Sequence, residues 1–99
     1  MTKDEEFELS QHVLANDQQA ESAGKRLVEA HLAMVVSIAE RYRDSGMHLL
    51  ELVQKGNDGL MLALNTLASN PNESFSIHAA ACVNAAIARA IAESRPAPE

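Results

Sequence analysis

Apolar residues recur at three- and four-residue intervals in four stretches of the chain, and this spacing predicts four amphipathic helices. In the first, ending near Ala15, Phe7 with Leu14 and Leu9 with Val13 form a modest apolar face, and Thr2-Lys3-Asp4-Glu5 has the spacing of a capping box. Asp4, Glu5 and Glu6 stand in the first turn, where the helix dipole favours anions. Asn16-Asp17 closes this helix and opens the next, because Asn tolerates the left-handed conformation and Asp is a good N-cap. The second stretch runs from Gln18 to about Asp44, with Leu27, Ala30, Met34, Ile38 and Tyr42 on one side and Gly24 as a soft point. After Ser45-Gly46, a third helix from about His48 to Ala68 offers Leu49, Val53, Leu60, Leu64 and Leu67 to a core. Gly56 and Gly59 interrupt it at a cost of about 1 kcal/mol each relative to Ala, which points to close backbone packing or to a surface approached by another chain.

Ser69 to Ser74, with Pro71 inside it, reads as a loop. The last helix, about Ser74 to Glu93, carries Phe75, Ile87 and Ile91 among small residues, with Ala79-Ala80-Ala81 and Ala85-Ala86 flanking Cys82, Val83 and Asn84. Its alanine face fits either tight internal packing or an open protein-binding surface. The expectation is one all-α domain over residues 1–95, with a frayed tail at 96–99.

Composition agrees with this reading. Aromatic residues are only 3% of the chain, so a core must be built from Leu, Val, Ile, Met and Ala, and no period-two run of β-branched residues announces a strand. Eight basic against fourteen acidic residues give a net charge of -6, a handicap for binding a phosphate backbone. A single cysteine, Cys82, excludes an internal disulfide, and an acidic N-terminus without a long apolar run predicts a cytoplasmic protein away from membranes.

Two stretches carry a more specific signal: Lys25-Arg26-Leu27-Val28-Glu29-Ala30-His31-Leu32-Ala33-Met34-Val35-Val36-Ser37-Ile38-Ala39-Glu40-Arg41-Tyr42, and Leu49-Leu50-Glu51-Leu52-Val53-Gln54-Lys55-Gly56-Asn57-Asp58-Gly59-Leu60-Met61. Together with Phe75-Ser76 and Ile87-Ala88-Arg89-Ala90-Ile91-Ala92, they resemble region two of the sigma-seventy family of bacterial RNA polymerase initiation factors over roughly residues 17–93. The resemblance implies a helical domain whose third helix docks on a coiled coil of the polymerase clamp, and places Glu51, Leu52, Gln54, Lys55, Asn57 and Met61 at the polymerase-binding positions. Lys55 stands where the family usually has an acidic residue.

The same resemblance implies that the last helix faces the minus-ten promoter element, and here the chain departs from the family. The resemblance places Phe75 at a DNA-proximal position, the family's base-stacking aromatic cluster at His78, Ala81 and Cys82, and its base-reading positions at Ala85 and Ala88. Stacking is worth about 1–3 kcal/mol per base, so these residues cannot hold a melted strand as Trp would. Asn72, Glu73 and Ser74 replace the basic residues expected before Phe75, which leaves Arg89 as the DNA-proximal cation. Promoter binding is expected to be weak or lost. The chain ends before any counterpart of the family's later regions, which fits either a piece of a longer sigma factor or a stand-alone module.

Other chemistry finds little support. His12, His31, His48 and His78 are not spaced to ligate a metal together, and His78 with Cys82 supplies only two ligands, so no metal or cofactor is expected. Cys82 reads as a small buried hydrophobe, with His78 as the sole local base were it a nucleophile. No phosphate loop or catalytic triad spacing occurs, so an enzyme is not expected. The alternative function is a self-associating module or an anti-initiation competitor. Light scattering distinguishes them: a homodimer joined through Ala81, Ala85 and Ala88 would favour the alternative, and a monomer that binds polymerase core would favour docking.

Overall fold

A computed structural model describes residues 2–67 and 74–94, and in them the chain is helical: α1 (Lys3–Ala15), α2 (Ala20–Ala30), α3 (Leu32–Glu40), α4 (Leu49–Asn65) and α5 (Phe75–Ser94). The all-α layout is the expected one, with the second helix divided in two. The anticipated loop at 69–73 and tail at 96–99 lie outside the described residues.

Thr2 caps α1 by accepting the Glu5 amide at 3.1 Å, and its hydroxyl lies 3.3 Å from the Glu5 carboxylate. Asn16 ends α1 in the left-handed region at φ 51°, and the Asp17 carboxylate accepts the Gln19 amide at 2.8 Å ahead of α2. The apolar face of α1 differs from expectation. Phe7 is 64% exposed, and Glu6 takes the inward position beside the partly buried Leu9 and Val13.

The reason lies across the bundle. The Glu6 carboxylate accepts the Ser76 amide at 2.7 Å, the Ser76 hydroxyl at 2.9 Å and the Ser74 hydroxyl at 3.0 Å, so an acid on α1 satisfies the otherwise unfilled donors at the start of α5.

The division between α2 and α3 has an equally local cause. His31 sits at φ -108°, ψ 5°, and its ring Nδ1 meets the Leu27 carbonyl at 2.6 Å while its own amide turns to Val28 at 3.0 Å. The side chain has taken the carbonyl that a continuous helix would give to the backbone amide. The buried stripe therefore runs Leu27, His31, Val35, Ile38, with Tyr42 partly buried, and the predicted Ala30 faces solvent. Gly24 is no soft point: it lies inside α2, where an added Cβ would come 3.1 Å from Leu64. A turn of 3₁₀ helix at Arg43–Ser45 and Gly46 at φ 98° carry the chain round to α4.

The core is built on α5, whose Phe75, Ala79, Val83 and Ile87 are 2% exposed or less and meet Leu27, Val35, Leu52 and Leu60 from the other helices. By length and mean hydropathy (1.4) α5 could cross a membrane, contrary to the sequence expectation; its buried face instead makes it the central helix of the bundle.

Burial by itself would raise the Glu6 carboxyl, but hydrogen bonds from the Ser76 amide, the Ser76 hydroxyl and Ser74, with the nearby His31, outweigh it and hold Glu6 below its ordinary value of 4.5. A carboxyl lowered on folding contributes stability that is present above the unfolded value and lost as pH falls through the folded one. Urea titrations from about pH 7 to about pH 3 should show this loss, and Glu6→Gln should reduce it while lowering stability at neutral pH. An unchanged acid dependence in that variant would remove Glu6 from the account.

Candidate functional site

Helix α4 turns Leu52, Gly56, Gly59, Leu60 and Ala63 inward, leaving its opposite face uncovered. Leu50, Gln54, Asn57 and Met61 follow one another at i, i+4, i+7 and i+11, a stripe about 16 Å long that suits packing against another helix. Its apolar ends are open, Leu50 at 69% and Met61 at 45%, and Gln54 between them is exposed. Asn57 is partly buried, and its Oδ1 is buried without a hydrogen-bond partner among the described residues, an arrangement that costs about 1–3 kcal/mol until a donor reaches it. Glu51 and Asp58 are exposed beside the stripe.

Two of the residues placed on functional surfaces by resemblance lie inside instead. Leu52 has 0% exposure and Phe75 2%, because both fill the centre of the core; neither offers a side chain to a partner in this fold. Lys55 is exposed but stands a third of a turn from Gln54, on the flank facing α5.

Between that flank and α5 runs a groove of about 480 Å³, lined by Lys55, Asp58, Gly59 and Leu62 on one side and by His78, Ala81, Cys82, Ala85 and Arg89 on the other. The groove exists because the two helices touch backbone to backbone. A Cβ on Gly59 would lie 2.6 Å from the Cys82 carbonyl oxygen and 2.9 Å from Val83 Cα, and one on Gly56 would lie 2.6 Å from a Val35 methyl. Of the two explanations open for these glycines, internal packing is the one the fold uses.

Five of the DNA-proximal residues thus come together, while Ala88 lines a separate pocket of about 410 Å³ with Arg41, Tyr42 and Ile91. None of the groove residues from α5 carries a flat carbocyclic or indole ring, and the Arg89 guanidinium is paired with Glu93 at 3.0 Å. The alanines divide between the two sides of α5: Ala79 is buried at 0%, whereas Ala81, Ala85 and Ala88 are exposed.

The Thr66 hydroxyl donates to the Leu62 carbonyl at 2.8 Å and lies 2.7 Å from His78 Nε2, which is also 3.8 Å from Cys82 Sγ. Among the described residues no three His, Cys, Asp or Glu side chains converge on a metal site.

The family model for Sigma-70 region 2 matches residues 27–96. The chain belongs to the sigma-70 region 2 family. It is 43% identical over 90 residues to the RNA polymerase sigma factor SigA of Lactococcus lactis subsp. cremoris, covering 91% of this chain and 25% of that protein. With SigA of Listeria monocytogenes it shares 44% identity over 93 residues, covering 94% of this chain and 24% of the relative. The chain therefore spans about a quarter of the length of the curated relatives it matches.

Within this sigma-70 region 2 domain, sequence reasoning missed Leu50 and Leu62, whose exposure follows only from knowing which face of α4 meets α5. It also missed His31 and Ser76, which no apolar pattern marks.

Gly59→Ala should destabilise the domain by about 1–3 kcal/mol or more, because Cβ meets fixed backbone and the clash exceeds the gain in helix propensity. Gly56→Ala should be milder, since its Cβ meets side-chain methyls of Val35, Ile87 and Val83 and no backbone atom among its three nearest neighbours. Urea midpoints that fall equally for both would contradict backbone contact as the limiting feature.

Proposed function

We propose that this domain acts in transcription initiation by docking on RNA polymerase core, with α4 lying along the clamp coiled coil and α5 making little or no contact with promoter DNA. The observation that carries this reading is the uncovered stripe Leu50, Gln54, Asn57 and Met61, which has the length, spacing and mixed character of a surface made for another helix. Family membership supports it, as does the similarity to RNA polymerase sigma factors. Glu51 and Asp58 border the stripe and set its charge, while Lys55 faces the groove, so its reversed sign bears more on whatever lies over α5 than on the docking stripe.

The case against a full promoter-opening role is chemical. The α5 side of the groove offers alanines, Cys82 and His78 where base stacking would require broad aromatic planes, and its charges balance: Lys55 against Asp58 and Arg89 against Glu93. The domain works by binding, not by catalysis, and does so in the cytoplasm where polymerase acts. Self-association through Ala81, Ala85 and Ala88 is the weaker reading, because that face exposes one large apolar group, Ile77, where α4 exposes three, Leu50, Met61 and Leu62.

Gln54→Ala combined with Met61→Ala should reduce capture of polymerase core by about tenfold or more, since central contacts of a helix interface cost well over 1 kcal/mol each when truncated. Adding single-stranded minus-ten DNA to the wild-type complex should produce no further retention. Undiminished capture by the double variant would sink the docking assignment, and tight DNA retention would sink the loss of promoter contact.

A further inference from the structure

The groove of about 480 Å³ between α4 and α5 is not used by the docking stripe, from which Lys55 and Leu62 are turned toward α5. Its floor is Gly59, Ala81, Cys82, Ala85 and Ala86, whose side chains have two heavy atoms or fewer. The close approach of α4 to α5 at Gly59 fixes this floor, so the groove is formed before anything enters it. Along the α4 wall Lys55, Asp58 and Leu62 follow at i, i+3 and i+7, over about 10 Å of helix. Leu62 is 53% exposed. Lys55 and Asp58 carry opposite charges one turn apart, yet among the described residues neither makes an ion pair, whereas Arg89 on the facing wall is engaged by Glu93. The α4 wall thus presents an open cation, an open anion and an uncovered apolar group in a fixed order.

We propose that this groove receives an amphipathic helix of another protein, which lays leucine-sized side chains on the small-residue floor beside Leu62 and presents a basic residue to Asp58 and an acidic residue to Lys55. A helix seated in a groove anchors itself through apolar side chains at i and i+3 or i+4, the spacing at which Gly59 and Leu62 repeat on one wall and Ala81 and Ala85 on the other. The charge order selects this occupant over the others. A nucleic acid strand, with charge of one sign, meets Asp58 and Glu93 as well as Lys55 and gains little from releasing counterions. A second copy of the chain brings the same concave floor, and two such floors facing one another leave the space between them empty. The site is separate from the stripe of Gln54 and Met61, so polymerase docking can stand or fall without it.

The experiment titrates the whole nitrogen-15-labelled chain with two synthetic helical peptides of about 15 residues on an alanine background, each with leucine at its fourth and seventh positions. One has lysine at the eighth position and glutamate at the eleventh, matching Leu62, Asp58 and Lys55 in turn; the other has the two exchanged, so composition and net charge are equal. The amide signals of Gly59, Ala81 and Ala85 should shift while those of Gln54 and Met61 stay, and the matched peptide should bind about fivefold more tightly, the scale of exposed ion pairs. Lys55→Glu combined with Asp58→Lys should invert that preference. Ala85→Trp, at an exposed position, should fill the groove and abolish binding of both peptides, whereas Gln54→Ala with Met61→Ala should leave it unchanged. Absence of shifts, equal affinity for the two peptides, shifts confined to the stripe, or undiminished binding by Ala85→Trp would overturn the proposal. So would dimerisation of the chain through the groove, or displacement of the peptide by single-stranded DNA. Should the charge-exchanged variant fail to fold, the comparison of the two peptides on the wild type still decides.

Discussion

The approach of α4 to α5 without intervening side chains is the constraint from which the remaining surfaces follow. Gly59 lies against the backbone of Cys82 and Val83, and Gly56 against Val35, Val83 and Ile87, so the two helices share a seam that no larger residue could occupy. Once that seam is fixed, Leu52, Leu60 and Ala63 must point inward, and Leu50, Gln54 and Met61 must point out. The same seam sets the groove in which His78, Ala81, Cys82, Ala85 and Arg89 converge. Two surfaces are thereby held side by side on one pair of helices, one an uncovered stripe with apolar ends and the other a groove without broad aromatic rings.

Apolar periodicity disclosed the helical class and the four helical stretches, though not the division of the second into α2 and α3, because each stretch buries a stripe of ordinary hydrophobes. It failed wherever a polar residue held a core position. His31 falls on the buried stripe of the second stretch, but a hydrophobic count passes over it to Ala30, and the helix break caused by its ring on the Leu27 carbonyl is invisible to such a count. Glu6 was legible only as a favourable charge for its own helix dipole, whereas its partners are Ser74 and Ser76, far along the chain. Phe7, the larger apolar group beside it, was assigned inward for the same reason and lies 64% exposed. Motif resemblance assigned docking to α4 and promoter proximity to α5, yet could not separate Leu52 and Phe75, which fill the core, from exposed neighbours on the same helices.

The polar network and the docking stripe illustrate opposite uses of an unsatisfied group. Around Ser76 every donor at the start of α5 that the network reaches has an acceptor, and the result is attachment of α1. On α4, Asn57 Oδ1 is buried without a partner among the described residues, a cost that the fold bears beside the exposed apolar stripe. The seam, the hydrogen-bond network around Ser76 and the stripe together describe a domain stabilised on its inner faces and uncovered on one outer face.

The central claim is that contact with the transcription machinery passes through α4 and not through α5. A photo-crosslinking side chain placed in turn at Met61 and at Ala85, both exposed, tests this most directly in a complex with polymerase core and promoter DNA. The account predicts a crosslink from position 61 to polymerase and none from position 85 to DNA; a strong DNA crosslink at position 85, or none to polymerase at position 61, would contradict it.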